Sequence, residues 1–206
     1  AGVPIAAPSA NISSRPSPTN IRDAVFDLKG KADIFLDSGR TKIGLESTVI
    51  DLTVKNPKIL RPGAISKEDI QKALKITIKA GKSGSSKSPG TKHRHYSPEA
   101  KFILAKGKDF KNKISKLIDY YKTKGFRVGI MASKETKNIY KKADGVISLG
   151  SSKNLEIIAR NIFSAMRKLD KAGIDVIISE SFPKKGIGLA IMDRLERASS
   201  GKENKR

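Results

Sequence analysis

The sequence predicts an α/β protein in two units joined by a linker, and three observations predict it. Residues 101–206 alternate short apolar runs with amphipathic stretches four times, as expected for strand-helix units in a doubly wound parallel (Rossmann-like) sheet. Residues 80–100 are rich in Gly, Ser and Pro and almost lack aliphatic side chains, the composition of a linker. Residues 1–79 hold shorter, β-branched runs punctuated by turn residues, with two amphipathic stretches between them.

In order, residues 3–7 read as a buried strand. A helix follows over 20–29, with Thr19 as N-cap, Ile21, Ala24, Val25 and Leu28 on one face, and Gly30 as its stop. Residues 32–36 form a short apolar strand before the turn Asp37-Ser38-Gly39. The run GLESTVIDL, residues 44–52, alternates as a strand whose first residues can present hydroxyls to a cleft. Residues 58–61 make another strand that ends at Pro62-Gly63. Ser66 and Asp69 resemble a capping box for a helix through Leu74, and residues 76–78 close the unit.

In the second unit strands are expected at 102–105, 126–131, 146–149 and 174–179. The helices between them begin at Asp109, with Ile114, Leu117 and Ile118 on one face, at Ser133, running to Lys142, and at Asn154. The last is expected over 188–198, where Ile191, Met192 and Leu195 of GLAIMDRL read as packing residues. Apolar strands of this kind are buried on both faces. The three-glycine spacing of a dinucleotide fingerprint is not present.

The stretch with the most chemical character is residues 6–19, which contain APSANISSRPSPT. Pro8, Pro16 and Pro18 fix φ and remove donors, which makes a rigid loop. Its hydroxyls and freed N–H groups suit a phosphate or carboxylate, although a Ser-capped turn before a helix is the plainer reading. The linker holds both histidines, His93 and His95, beside Arg94 and Tyr96. Two histidines are too few for an ordinary zinc site, so a segment that folds over an anionic ligand is the better reading.

The 206 residues can bury one large or two small cores. With no cysteine there is neither a disulfide nor a thiolate-bound metal, which fits a reducing cytoplasm. No apolar run approaches membrane-spanning length and no signal-peptide pattern opens the chain, so a soluble, cytoplasmic protein with no membrane partner is expected. The net charge is +22, and residues 101–206 carry 25 basic against 11 acidic side chains. That field favours polyanions such as RNA, or it only keeps surface helices in solution. The aromatic residues do not interleave with the basic ones, so stacking on single strands is not expected.

The blocks APSANISSRPSPT, TKIGLESTVIDL (41–52), ILRPGAIS (59–66) and SPGTKHRHYSP (88–98), closed by GIGLAIMDRLERA, occur in this order in threonylcarbamoyl-AMP synthases of the long, two-domain YrdC type, and the chain resembles that family throughout. The resemblance implies three parts. Residues 1–79 would be the carboxyl-terminal half of a twisted, open YrdC-like sheet domain, 80–100 a linker over the active site, and 101–206 a Rossmann-like domain. It implies an enzyme that joins L-threonine, bicarbonate and ATP into threonylcarbamoyl-AMP and pyrophosphate, for threonylcarbamoyladenosine in tRNA.

Carried over by position, Ser9, Ser17, Arg61 and Tyr96 would contact ATP. Ala7 through its backbone and Ser47 through its hydroxyl would contact threonine, with Asn11 in second rank. Mg2+ would sit on the ATP phosphates without a protein carboxylate ligand. Implied partners are tRNA or double-stranded RNA and the downstream threonylcarbamoyl transferase complex. The residue types suit the reaction: a carbamate oxygen attacks the α-phosphate, and holding two anions while neutralising charge needs no protein nucleophile.

Ser14 stands where the family usually has Gly, and Ser38 replaces the second residue of an Asp-Gly-Gly turn, which suggests altered turns. Thr91 and His93 stand where the linker usually has Met and Tyr. The family's amino-terminal half, with its triphosphate-holding Lys/Arg pair, is not in this sequence, so activity is expected of the full-length protein and not of residues 1–206 alone. The rival readings are an RNA-binding module and a carbamoyl transferase.

Overall fold

The computed structural model describes residues 2–80 and 97–200. The carboxyl-terminal part is built on a four-stranded, all-parallel sheet. Its strands are β4 (Lys101–Ala105), β5 (Val128–Ala132), β6 (Gly145–Ser148) and β7 (Val176–Glu180), in the order β4-β7-β5-β6. Helix α3 (Phe110–Thr123) covers one face with Ile114 and Ile118, joined there by Tyr140. Helices α4 (Leu155–Lys171) and α5 (Gly188–Ser199) cover the other with Ile158, Ile162, Phe163, Met166, Ile191 and Leu195. Both faces of the central strands are therefore dry, which is why β5 and β7 are buried along their whole length. Each fully buried Ile, Leu or Phe contributes about 1.5–3 kcal/mol of transfer free energy, so this double core anchors the molecule.

The capping signals at Asn154 and Ser66 work as expected. Asn154 accepts from the Ile157 N–H at the start of α4, and Ser66 accepts from the Asp69 N–H at the start of α2 (Lys67–Leu74). The helix expected from Ser133 to Lys142 does not form beyond a 3-10 turn at Lys137–Ile139. The segment's polar groups instead gather on a buried carboxylate. Glu180, at the end of β7, accepts from the Ser133 N–H at 2.9 Å, from the Thr136 hydroxyl and from the Tyr140 hydroxyl at 3.0 Å. Burial and the Glu180 charge push the Tyr140 phenol well above its ordinary range.

The amino-terminal part carries a small sheet, β1 (Val49–Asp51), β2 (Lys58–Arg61) and β3 (Lys79–Ala80), with β1 antiparallel and β3 parallel to β2. β1 is much shorter than the strand expected over 44–52, and β3 lies just beyond the expected 76–78. The strands expected at 3–7 and 32–36 do not form. Val3, Ile5, Ile34 and Leu36 are exposed, and among the described residues neither segment has a strand to pair with.

Helix α1 (Ile21–Leu28) is capped by Asn20, not Thr19, through a bond from the Asp23 N–H. Thr19 is buried, and its carbonyl accepts from the Thr41 N–H. The buried side of α1 is acidic rather than apolar. Asp23 and Asp27, four residues apart, face Lys171 and Arg167 of α4, also four apart, at 2.8 and 2.6 Å. Two ion-pair rungs between antiparallel helices thus join the amino-terminal part to the parallel-sheet core.

Candidate functional site

The site is assembled where the chain leaves residues 44–48 for β1 and returns along β2. The register of β1 against β2 is broken by an irregularity between Val49 and Ile50, which sets Arg61 opposite Val49. An irregularity of this kind re-aims a side chain. The buried Arg61 guanidinium lies along Ser47: Nε and Nη2 donate to the Ser47 carbonyl at 3.3 and 3.1 Å, and Nη2 approaches Ser47 Oγ at 3.4 Å.

Past the end of β2, Gly63 comes so close that a Cβ there would meet Ser47 C at 2.2 Å, Thr48 N at 2.3 Å and Glu46 O at 2.4 Å. The Ala64 N–H donates to the Glu46 carbonyl at 3.0 Å, and the Thr48 hydroxyl donates to the Ile65 carbonyl. The Pro-Gly after Arg61 is thus what allows the two segments to touch.

The Ser/Pro loop reaches the same segment through Glu46. Ser17 Oγ donates to Glu46 Oε1 at 2.9 Å, while Arg194 of α5 donates from Nε to Oε2 at 2.9 Å. One residue earlier in the loop, the Pro16 carbonyl accepts from Arg167 of α4, whose guanidinium also grips Asp27. Burial raises the Asp27 pKa, but the Arg167 hydrogen bond and charge outweigh it, with help from the Ile12 N–H and Arg15, and hold the carboxyl below its ordinary value.

Ser47 and Arg61 are therefore in contact, and Ser17 joins them through Glu46. Ala7, Ser9 and Asn11 lie on the loop before them. Their hydrogen bonds stay local: the Asn11 N–H donates to the Ser9 carbonyl, and Asn11 Nδ2 donates to the Ile12 and Arg15 carbonyls. Asn11 Oδ1 is buried and has no hydrogen-bond partner among the described residues. Tyr96, His93 and His95 lie outside the described residues. Ser14 has φ 74°, the left-handed region that glycine favours, and its carbonyl accepts from the Ser97 N–H at 3.1 Å, which ties the start of residues 97–100 to the loop.

Sequence reasoning missed Glu46, Arg167 and Arg194. A signal was there for Arg194: it falls three residues after Ile191 and four before Ala198, on the buried face of α5, where a charge requires a partner. At the carboxyl end of α3, Tyr120, Tyr121 and Phe126 meet edge to face. Lys101 and Lys124 sit over the Tyr121 and Tyr120 rings beside a cavity of about 450 Å3. The fold thus brings together aromatic and basic groups that looked separate in the sequence.

With this geometry in view, residues 65–200 match the family described as "Threonylcarbamoyl-AMP synthase, C-terminal domain", and residues 1–63 match one described as "Telomere recombination". The chain belongs to the threonylcarbamoyl-AMP synthase C-terminal domain family. It is 45% identical to the threonylcarbamoyl-AMP synthase of Pyrococcus abyssi over 95% of this chain and 58% of that protein. It is 42% identical to that of Bacillus subtilis over 98% of this chain and 58% of that one. The chain therefore spans less than two thirds of the synthases it matches. A crystal structure of Pyrococcus abyssi Sua5 complexed with L-threonine superposes with a TM-score of 0.81 at 42% identity, covering 93% of this chain and 56% of that one. The synthase relationship accounts for the mixed α/β architecture with its parallel four-stranded sheet. Among the described residues no helix is long and apolar enough to cross a membrane.

Proposed function

We propose that the protein is an L-threonylcarbamoyladenylate synthase that converts L-threonine, bicarbonate and ATP into threonylcarbamoyl-AMP, pyrophosphate and water. The observation that carries this reading is the contact of the Arg61 guanidinium with Ser47, in a chain 45% identical to a named synthase. Ser47 Oγ and the Ala7 backbone would hold threonine; Ser9, Ser17, Arg61 and Tyr96 would hold ATP, with Asn11 shaping the loop. Arg61 supplies a fixed, buried positive charge at the point where the carbamate oxygen must meet the α-phosphate. Apart from Glu46, whose two carboxylate oxygens accept from Ser17 and Arg194, the groups at this site are hydroxyl, backbone and guanidinium, which suits a magnesium ion carried on the ATP phosphates, where it would offset their charge.

The test is pyrophosphate release by the full-length protein with each substrate omitted in turn. Release that needs threonine and bicarbonate as well as ATP is expected. Release indifferent to threonine, or a preference for carbamoyl phosphate, would overturn the reading.

The product's proposed destination is tRNA modification in the cytoplasm, by hand-over to a threonylcarbamoyl transferase complex. Direct contact with tRNA or double-stranded RNA is a second proposal, favoured by the exposed Lys111, Lys113 and Lys116 of α3 and by the tyrosine-lysine cluster at its end. Fluorescence anisotropy should then show RNA affinity that falls steeply with salt; a flat salt response would dismiss it.

A further inference from the structure

We propose that Arg194 is a positioning residue for ATP, acting through Glu46 on Ser17, so that α5 of the parallel-sheet unit sets the chemistry of the substrate loop. The inference rests on the function proposed above and deepens it. Arg194 is fully buried, and its guanidinium is fixed from two directions. Nη1 donates to Asp193 Oδ2, an oxygen that also accepts from Arg197 Nε at 2.9 Å, and Nε donates to Glu46 Oε2 at 2.9 Å. Glu46 in turn is pinned through its backbone, since its carbonyl accepts from the Ala64 N–H. Its second carboxylate oxygen, Oε1, is thereby held where it accepts the hydrogen bond of the Ser17 hydroxyl.

This chain of contacts decides what Ser17 can offer. An ionised carboxylate only accepts, so the single hydroxyl proton of Ser17 is committed to Glu46 and the lone pairs of Oγ are what remain for a ligand. The expectation that this hydroxyl donates to a phosphate therefore changes: Ser17 would accept from a donor of ATP, a ribose hydroxyl or the adenine amino group. Arg194 keeps the arrangement in place because its planar fork, fixed on its other side by Asp193, sets the direction of Oε2. Pro16, the neighbour of Ser17, is held at its carbonyl by Arg167 of α4, so the loop backbone beside Ser17 is also positioned from the parallel-sheet unit.

The test is a double-mutant cycle on the full-length protein that reads the KM for ATP separately from kcat. Arg194→Gln is expected to raise the KM for ATP about five- to twentyfold with kcat within about twofold. Ser17→Ala should do the same, and the double variant should be no worse than Ser17→Ala alone. Arg194→Lys, which keeps the charge and loses the fork, should recover part of the KM. Multiplicative effects in the double variant, or an unchanged KM for ATP in folded Arg194→Gln, would overturn the inference. Should Arg194→Gln fail to fold, Glu46→Gln, which keeps size and removes the charge, runs the same cycle with the same two readings. A wild-type protein with no threonine-dependent pyrophosphate release sinks the parent function; an active wild type with an additive cycle leaves that function standing and removes only the role of Arg194.

Discussion

Arg167 of α4 and Asp27 of α1 meet in a two-pronged ion pair, Nη1 to Oδ1 at 3.1 Å and Nη2 to Oδ2 at 2.6 Å, with both side chains shut off from solvent. The same guanidinium caps the Pro16 carbonyl, so one side chain both helps to join the two parts of the molecule and fixes the Ser/Pro loop. Breaking a buried pair leaves an uncompensated charge, which costs about 3–5 kcal/mol. Asp27→Asn and Arg167→Ala are each expected to lower stability by about that amount in urea titrations. The paired replacement Asp27→Leu with Arg167→Met should lose much less, because it buries no charge. Equal losses in Arg167→Ala and the paired variant, with a much smaller loss in Asp27→Asn, would show that the loop carbonyl, not the ion pair, dominates.

The same pair sets an acid limit. Asp27 is held below its ordinary pKa by Arg167, with Arg15 at 3.5 Å and the Ile12 N–H adding to it; Asp23 and Lys171 form the neighbouring rung. A carboxyl whose folded pKa is depressed contributes stability that is present above its unfolded pKa, about 3.9, and is lost as pH falls through the folded value. Stability measured by urea midpoints should therefore fall below about pH 4, and the fall should be shallower in Asp27→Asn. An unchanged slope in that variant would assign the acid limb to other carboxylates.

Ser14 supplies a prediction of the opposite sign. A side chain at φ 74° crowds its own backbone, at a cost of about 1 kcal/mol that glycine does not bear. Glycine gives part of this back through its freer unfolded chain, so Ser14→Gly should stabilise by about 0.5 kcal/mol, a rise of roughly 1–2 °C in the melting temperature. A fall would mean that the Ser14 hydroxyl carries a contact worth more than the strain.

The parallel sheet was legible because its strands are continuous apolar runs and its helices repeat at 3.6 residues, signals that burial on both faces makes strong. The amino-terminal part was less so, since a strand such as 3–7 forms only where a neighbour supplies hydrogen bonds, and local sequence does not say whether one is present. The stretch after Ser133 had the look of a capped helix, but Glu180, over forty residues away in sequence, gathers its Ser133 N–H and its Thr136 and Tyr140 hydroxyls around one carboxylate. At the site, Ser47 and Arg61 were visible from motif position and meet in space. Glu46 and Arg194 were not, because each has meaning only once the other is beside it: 148 residues separate them.

Gly63 puts the geometry of the candidate site to its sharpest test. Its Cα hydrogen faces the Glu46–Thr48 backbone so closely that a methyl group would overlap three backbone atoms at 2.2–2.4 Å, none of which can swing away as a flexible side chain could. Gly63→Ala must therefore push β2 and the segment carrying Ser47 apart, which would pull the Arg61 guanidinium off the Ser47 carbonyl. Overpacking of this kind typically costs about 1–3 kcal/mol, while the buried strands β5 and β7 belong to the other sheet. The variant should keep near-native circular dichroism with reduced stability, while calorimetry of the full-length protein should show L-threonine binding weakened at least tenfold. Threonine binding at wild-type strength in a folded Gly63→Ala protein would mean that the apposition of Ser47 and Arg61 is not where threonine is held.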